Sequence, residues 1–185
     1  MWVMGMVVVT AAPTDKKLSA ILKKSSNGAL SILNAQTQQA SFYGKIPDLI
    51  FVTENEFKHI ECDYAIFLVR SKNCIPETFH CKNAIAVVNS SDRNLLEMVA
   101  QRRIKALTCG LSSVDTLTLS SLTSDSAVIS LQRQVQAFDG STVEPFELPV
   151  SFTSHFEPFS LLYCAAVFCL LGKDNPLSGC GLWKL

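Results

Sequence analysis

The sequence has no excess of either charge: Lys and Arg total 16, and so do Asp and Glu. A surface that grips a phosphate backbone concentrates cations on one face. Here only Lys16-Lys17, Lys23-Lys24 and Arg102-Arg103 come close. Each reads as the solvated side of a helix, which argues against a nucleic-acid partner. No two of the seven cysteines have C-x-x-C spacing, and an odd, scattered set suits neither a disulfide scaffold nor a zinc site. Several lie in apolar runs, where a thiol packs as a small hydrophobe, so reduced, buried thiols are expected. His59, His80 and His155 do not cluster with them in sequence.

The opening MWVMGMVVVT lacks the positive n-region and small-residue cleavage site of a signal peptide. The longest apolar stretch, Phe159 to Leu171, is too short to cross a bilayer and reads as a buried helix. These features imply no membrane partner and, by default, a cytoplasmic location. There is no G-x-S-x-G elbow and no H-E-x-x-H, so nucleophilic or zinc-hydrolase catalysis has no motif to rest on. Cys109, before Gly110, has no cationic neighbour in sequence to activate it.

What is present is a globular composition on the apolar side, 48% hydrophobic and 17% charged over 185 residues. That length suits a single domain, 1–185, with a real core. Low charge with high apolar content also favours a protein partner or self-association. The runs Met6–Thr10, Leu49–Val52, Tyr64–Val69, Ala84–Val88 and Ile104–Thr108 read as buried strands of a parallel sheet. Ala29–Asn34 is a further strand candidate, and Ala40–Tyr43 a short peripheral one.

Helices are expected over Asp15–Lys24, with Leu18, Ile21 and Leu22 inward, and over about Asp92–Arg102, with Ser91 as cap. Gly28 closes the first helix region, and a turn or short helix is expected up to His59. Arg70 to Lys82 has no clear period and reads as a loop with a short helix. After Gly110 the pattern alternates, Asp139-Gly140 signals a hairpin, and Val143–Val150 returns antiparallel. A last helix spans Pro158 to Leu171 and stops at Gly172. The whole reads as an α/β domain: a mostly parallel sheet flanked by helices, P-loop NTPase-like, with a small antiparallel excursion before the C-terminal helix.

In such a fold the turn after strand one is the place for phosphate, cradled by the amides of a glycine-rich loop. Here it reads Thr10-Ala11-Ala12-Pro13-Thr14-Asp15-Lys16-Lys17, without glycine. Proline removes a donor and Asp15 puts negative charge where phosphate needs positive. Asp15 also suits the first turn of a helix, through the dipole. Two further candidates stand at strand ends. Glu54, Glu56, Lys58, His59 and Glu61 follow one strand, as a magnesium site or a surface loop. Asn89 and Asp92 follow another, to bind a nucleoside or to cap the next helix.

In order and spacing these segments resemble the central ATP-binding domain of the Mur ligase and folylpolyglutamate synthetase family. Thr10 matches the leading threonine of its T-G-T-x-G-K-T loop, with Ala11 and Thr14 in place of glycines, Asp15 in place of lysine, and Lys16 at the Thr/Ser position. Thr53 and His59 match its T-N-x-x-x-D-H-L segment, where Glu54 and Lys58 depart. Asn89 and Asp92 match its N-x-D-D, where Ser91 departs. Ser154-His155-Phe156 lies near the family's nucleotide loop, and Lys72 is the one lysine near its carbamylated position.

The resemblance implies vestigial cofactor-binding positions at Thr10, Thr14, Lys16, Asn89 and Asp92, and a vestigial metal position at His59. The family's flanking substrate domains have no counterpart in this sequence. It therefore implies a noncatalytic, structural or partner-binding domain with no cofactor expected. The alternative is a residual nucleotide-binding protein or ligase component, with an altered Mg2+–ATP site that needs a partner chain.

Overall fold

A computed structural model describes residues 7–26, 32–35, 49–53, 58–153, 157–172, 177 and 180–185. The first apolar run forms β1 (Val7–Ala11), buried at all of its positions. A 3-10 turn, Pro13–Asp15, leads into α1 (Lys16–Ser25). Then follow β2 (Ile32–Ala35), β3 (Leu49–Thr53), β4 (His59–Val69), β5 (Thr78–Asn89), α2 (Arg93–Gln101) and β6 (Lys105–Gly110). The C-terminal part adds β7 (Leu117–Leu122), β8 (Ser126–Leu131), β9 (Val135–Gln136), β10 (Thr142–Val143), β11 (Phe146–Ser151), α3 (Pro158–Leu171) and β12 (Trp183–Lys184).

Ten of these strands form one sheet, in the order β12-β11-β8-β7-β6-β5-β4-β1-β3-β2. Every neighbouring pair from β2 to β7 is parallel. β8 runs antiparallel to β7 and β11, while β9 and β10 form a small antiparallel pair of their own. This is the mostly parallel sheet with a late antiparallel excursion that the sequence pattern implied.

Alternation along the strands sends side chains to two faces. Val7, Val9, Phe51, Ile66, Leu68, Ile85 and Val87 point into the larger core, with Leu18 and Leu22 of α1 and Leu161–Leu171 of α3. Ala65, Phe67, Val69, Ala86 and Val88 point the other way, under Leu95 and Val99 of α2. Helix α3 is buried at every residue from Leu161 to Leu171, because its sequence L-L-Y-C-A-A-V-F-C-L-L has no polar stripe to turn to water. Trp183 of β12 ties this layer together: its ring meets Phe168 edge-on at 6.1 Å, and its Nε1 donates to Ser25 Oγ at 2.9 Å.

Three local expectations differ. Asp92, not Ser91, caps α2, accepting from Leu95 N at 3.1 Å, while Ser91 Oγ donates to Asn89 Oδ1 at 2.8 Å. The region Arg70–Lys82, read as a loop with a short helix, contains a 3-10 turn at Lys72–Cys74 and then the first part of β5. His59, placed in a turn or helix, opens β4. The missed strand segments, 59–63 and 78–82, pair in register as a ribbon. In both strands the alternation slips: Cys62 and Ala65 face one core, as do Cys81 and Ala84. The ribbon therefore bends toward the α2 face, and Phe79, in register with Ile60, brings its ring to 5.2 Å from that of Phe67. Polar residues at these bends interrupt the apolar run, so the hydrophobic pattern shows only the later part of each strand. The expected strand Ala40–Tyr43 and the stop at Gly28 lie outside the described residues.

Gly140 and Gly172 both have positive φ, 82° and 67°. A Cβ on Gly140 would meet nothing, whereas on Gly172 it would collide with the Asp139 carboxylate. Gly140→Ala is expected to cost about 1–2 kcal/mol, from backbone strain alone. Gly172→Ala is expected to cost at least ~1 kcal/mol more, through steric conflict. Urea unfolding of the two variants side by side checks the difference.

Candidate functional site

In open α/β sheets, ligands sit beyond the carboxyl ends of strands where the strand order reverses. Here β1 has β3 on one side and β4 on the other, so that crevice lies between the ends of β1 and β4. The residues closing it are Asp15, after β1, and Arg70, after β4. Arg70 Nε donates to Asp15 Oδ1 at 2.6 Å, and Arg70 Nη2 donates to Glu157 Oε2 at 2.9 Å and to Ser160 Oγ at 3.0 Å. The guanidinium also lies over the Tyr163 ring, 4.8 Å from its centroid. Tyr163 in turn donates its hydroxyl to Val69 O at 3.2 Å, inside the core. One arginine thus joins the loop before α1, the end of β4 and the first turn of α3.

The local sequence explains the arrangement. Glu157 precedes Pro158 at the first turn of α3, where proline's missing N–H costs nothing. Its carboxylate caps the helix, accepting from Phe159 N at 3.1 Å and Ser160 N at 2.8 Å. Asp15 sits at the start of α1 without capping it. Its own amide donates to Ala12 O at 2.8 Å, and its carboxylate turns to Arg70 instead. Only 3% of that side chain is exposed, and Oδ2 has no hydrogen-bond partner among the described residues.

Burial pushes the Asp15 carboxyl above its ordinary range, and the pull of Arg70 offsets only part of this. Glu157 goes the other way. Burial raises it, but the hydrogen bond and charge of Arg70, with Ser160 and the Phe159 amide, hold it below the ordinary glutamate value.

The residues singled out in the sequence fall into three places. Thr10 is fully buried near the end of β1, and its Oγ1–H donates to Cys74 O at 2.8 Å. Thr14 is exposed in the 3-10 turn, and Lys16 opens α1. Asn89 and Asp92 share the turn from β5 into α2, where Asn89 Oδ1 accepts from Ser91 N at 2.9 Å and Asp92 caps the helix. His59 is exposed on the ribbon, its Nδ1 2.9 Å from Thr78 Oγ1 and its ring 5.8 Å from that of His80. No described hydrogen bond or ion pair joins His59 to Thr10, Asn89 or Asp92. Lys58 and Lys72 are exposed, while Glu54, Glu56 and His155 lie outside the described residues. Among the described residues, no three His, Cys, Asp or Glu side chains gather to hold a metal ion.

Sequence reading missed Arg70, Glu157, Tyr163 and Asp115. Arg70 had a signal: it is the first charged residue after the run Ala-Ile-Phe-Leu-Val, which places it at the carboxyl edge. Asp115 had none. It is 1% exposed, accepts from Ser112 N at 3.2 Å, and with Ser90 Oγ fills the space where a side chain on Gly110 would go. Expectation and structure also part at the thiols. All seven cysteines are free, four of them buried, but Cys62, Cys81 and Cys180 are only half-buried.

Removing Arg70 leaves the Asp15 carboxylate buried and unpaired. Arg70→Ala is expected to cost about 2–3 kcal/mol, and Asp15→Leu/Arg70→Met together to cost less. Urea unfolding of both variants and wild type measures this. Glu157, with its folded pKa lowered, contributes stability present above the ordinary value of 4.5 and lost as pH falls through the folded one. The stability gap between wild type and Glu157→Gln is therefore expected to be widest at neutral pH and to shrink below about 4.5. Denaturant titrations across that range check the sign.

No family model matches the sequence, and no curated protein matches it. Solved structures do resemble it. One is the MurF ligase of Thermotoga maritima in complex with ADP, at 14% identity and TM-score 0.47, covering 94% of this chain and 44% of that one. Another is the UDP-N-acetylmuramate:L-alanyl-gamma-D-glutamyl-meso-diaminopimelate ligase of Neisseria meningitides, at 14% identity and TM-score 0.50, covering 97% of this chain and 65% of that one. The chain thus spans less than two thirds of either ligase. No helix among the described residues is long and apolar enough to cross a membrane. What the chain shares with the second of these ligases is a fold, the Mur-ligase-like α/β fold.

Proposed function

We propose that this chain is a noncatalytic Mur-ligase-like domain with a structural or partner-binding role, and that its first loop is a degenerate phosphate-binding loop. One observation carries the reading: the protein's own carboxylate stands at the start of α1, paired with the arginine of the crevice. A triphosphate there would need donors and positive charge. Arg70 supplies one positive charge, and Asp15 and Glu157 bring two negative ones. An incoming anion would have to displace Asp15 from Arg70 and meet an uncompensated carboxylate.

The remaining groups of the loop fit Mg2+–ATP no better. Pro13 has no N–H, the Asp15 amide is used by Ala12, and the Thr10 hydroxyl is used by Cys74. Asn89 and Asp92 serve their own turn and helix cap. Thr10, Asn89 and Asp92, which the fold's nucleotide chemistry would call on, thus have structural partners within the chain.

With these contacts in place, calorimetric titration of the purified chain with ATP or ADP is expected to give no binding up to millimolar nucleotide, with or without Mg2+. Micromolar binding strengthened by Mg2+ would sink the proposal. It would support an altered nucleotide site completed by a partner chain.

A further inference from the structure

The ribbon formed by the first halves of β4 and β5 carries two cysteines opposite each other. Cys62 and Cys81 are register partners on adjacent parallel strands, and their sulfurs are 3.5 Å apart. Both are half-buried, in contrast to Cys74, Cys109, Cys164 and Cys169. They line an open depression of about 680 Å³ with Glu61, Asp63, Phe79 and His80. We propose that Cys62 and Cys81 form a redox-active dithiol, oxidised to an intramolecular disulfide by small-molecule disulfides of the glutathione class.

Geometry makes the bond accessible without rearranging the sheet. Adjacent strands lie about 4.8 Å apart, inside the Cα–Cα window of about 4.4–6.8 Å that disulfides occupy. The sulfurs must close from 3.5 Å to a bond of about 2.05 Å, which side-chain rotation supplies. The backbone there is already irregular, since the alternation of both strands slips just beyond the pair. A metal is the weaker reading, because no described third ligand completes the two sulfurs. A disulfide between neighbouring strands at an open surface belongs to the labile, reversible kind.

The order of attack follows from the surroundings. Cys62 donates its S–H to Tyr64 O at 3.3 Å, and burial, Cys81 and Asp63 push its thiol up to about 12. With the Cys62 proton held by Tyr64 O, Cys81 is the first nucleophile. Its thiolate attacks one sulfur of the small disulfide and expels one thiolate, which takes up the proton that Cys81 lost. Cys62 then gives up its proton and attacks the Cys81 sulfur of the mixed disulfide, expelling the second small thiol. Two protein S–H bonds and one reagent S–S bond become one protein S–S bond and two reagent S–H bonds.

The test is to incubate the full chain with excess oxidised glutathione, quench with acid, alkylate, and map the peptides by mass spectrometry. Half-buried Cys180 serves as a single-thiol control that collects a glutathione adduct. The expected result is a Cys62–Cys81 crosslink, the loss of those two alkylatable thiols, and recovery of both on reduction. If Cys62 and Cys81 stay free, or each carries its own glutathione, while Cys180 is modified, the proposal fails. In Cys62→Ser the mixed disulfide is expected to persist on Cys81. An unmodified Cys81 in that variant would overturn the assigned first step.

Discussion

Arg70 is the constraint on which the crevice depends. A guanidinium is too costly to leave unpaired inside a fold, and too rigid to satisfy with a single point charge. Here its fork is shared among Asp15, Glu157 and Ser160, while its plane rests on Tyr163. Those partners come from the start of α1 and the first turn of α3, the two helices that cover the same face of the sheet. The arginine therefore sets how the loop after β1 enters its helix and where α3 begins. The space between them is a junction within the molecule.

The two carboxylates respond to this junction in opposite senses. Asp15 is dry and half-satisfied, so protonation relieves it; Glu157 is wetter and well supplied with donors, so ionisation suits it. Their contributions to stability therefore run against each other as pH falls. The same guanidinium faces one partner that loses by being charged and one that gains.

Much of this architecture was legible in the sequence. Val7–Ala11, Leu49–Thr53 and Lys105–Gly110 follow closely from apolar runs bounded by turn residues, and α3 from Pro158 before an unbroken apolar stretch. The ribbon of β4 and β5 was not legible, because His59–Asp63 and Thr78–Lys82 mix charge with apolar residues and are held by pairing with each other. The loop Ala11–Asp15 was legible as a segment without glycine and with one proline. What its carboxylate pairs with was not. The pairing of Asp15 with Arg70 links residues that follow different strands, and local pattern carries no trace of such a contact. Only the position of Arg70 just after a buried strand hinted at the edge it occupies.

The strand order carries a further consequence, for the route by which the chain reaches this structure. From β4 to β8 the strands stand in the sheet in the same order as in the chain. Each new strand there needs only its predecessor in place. β1 is different: Val7 finds its partners at Leu49 and Tyr64, both distant along the chain. Closing such distant contacts is slow, because chain entropy is lost before the contacts repay it. β1 is thus among the strands that must wait for later sequence, and the half of the sheet from β4 to β8 is the natural nucleus onto which it docks.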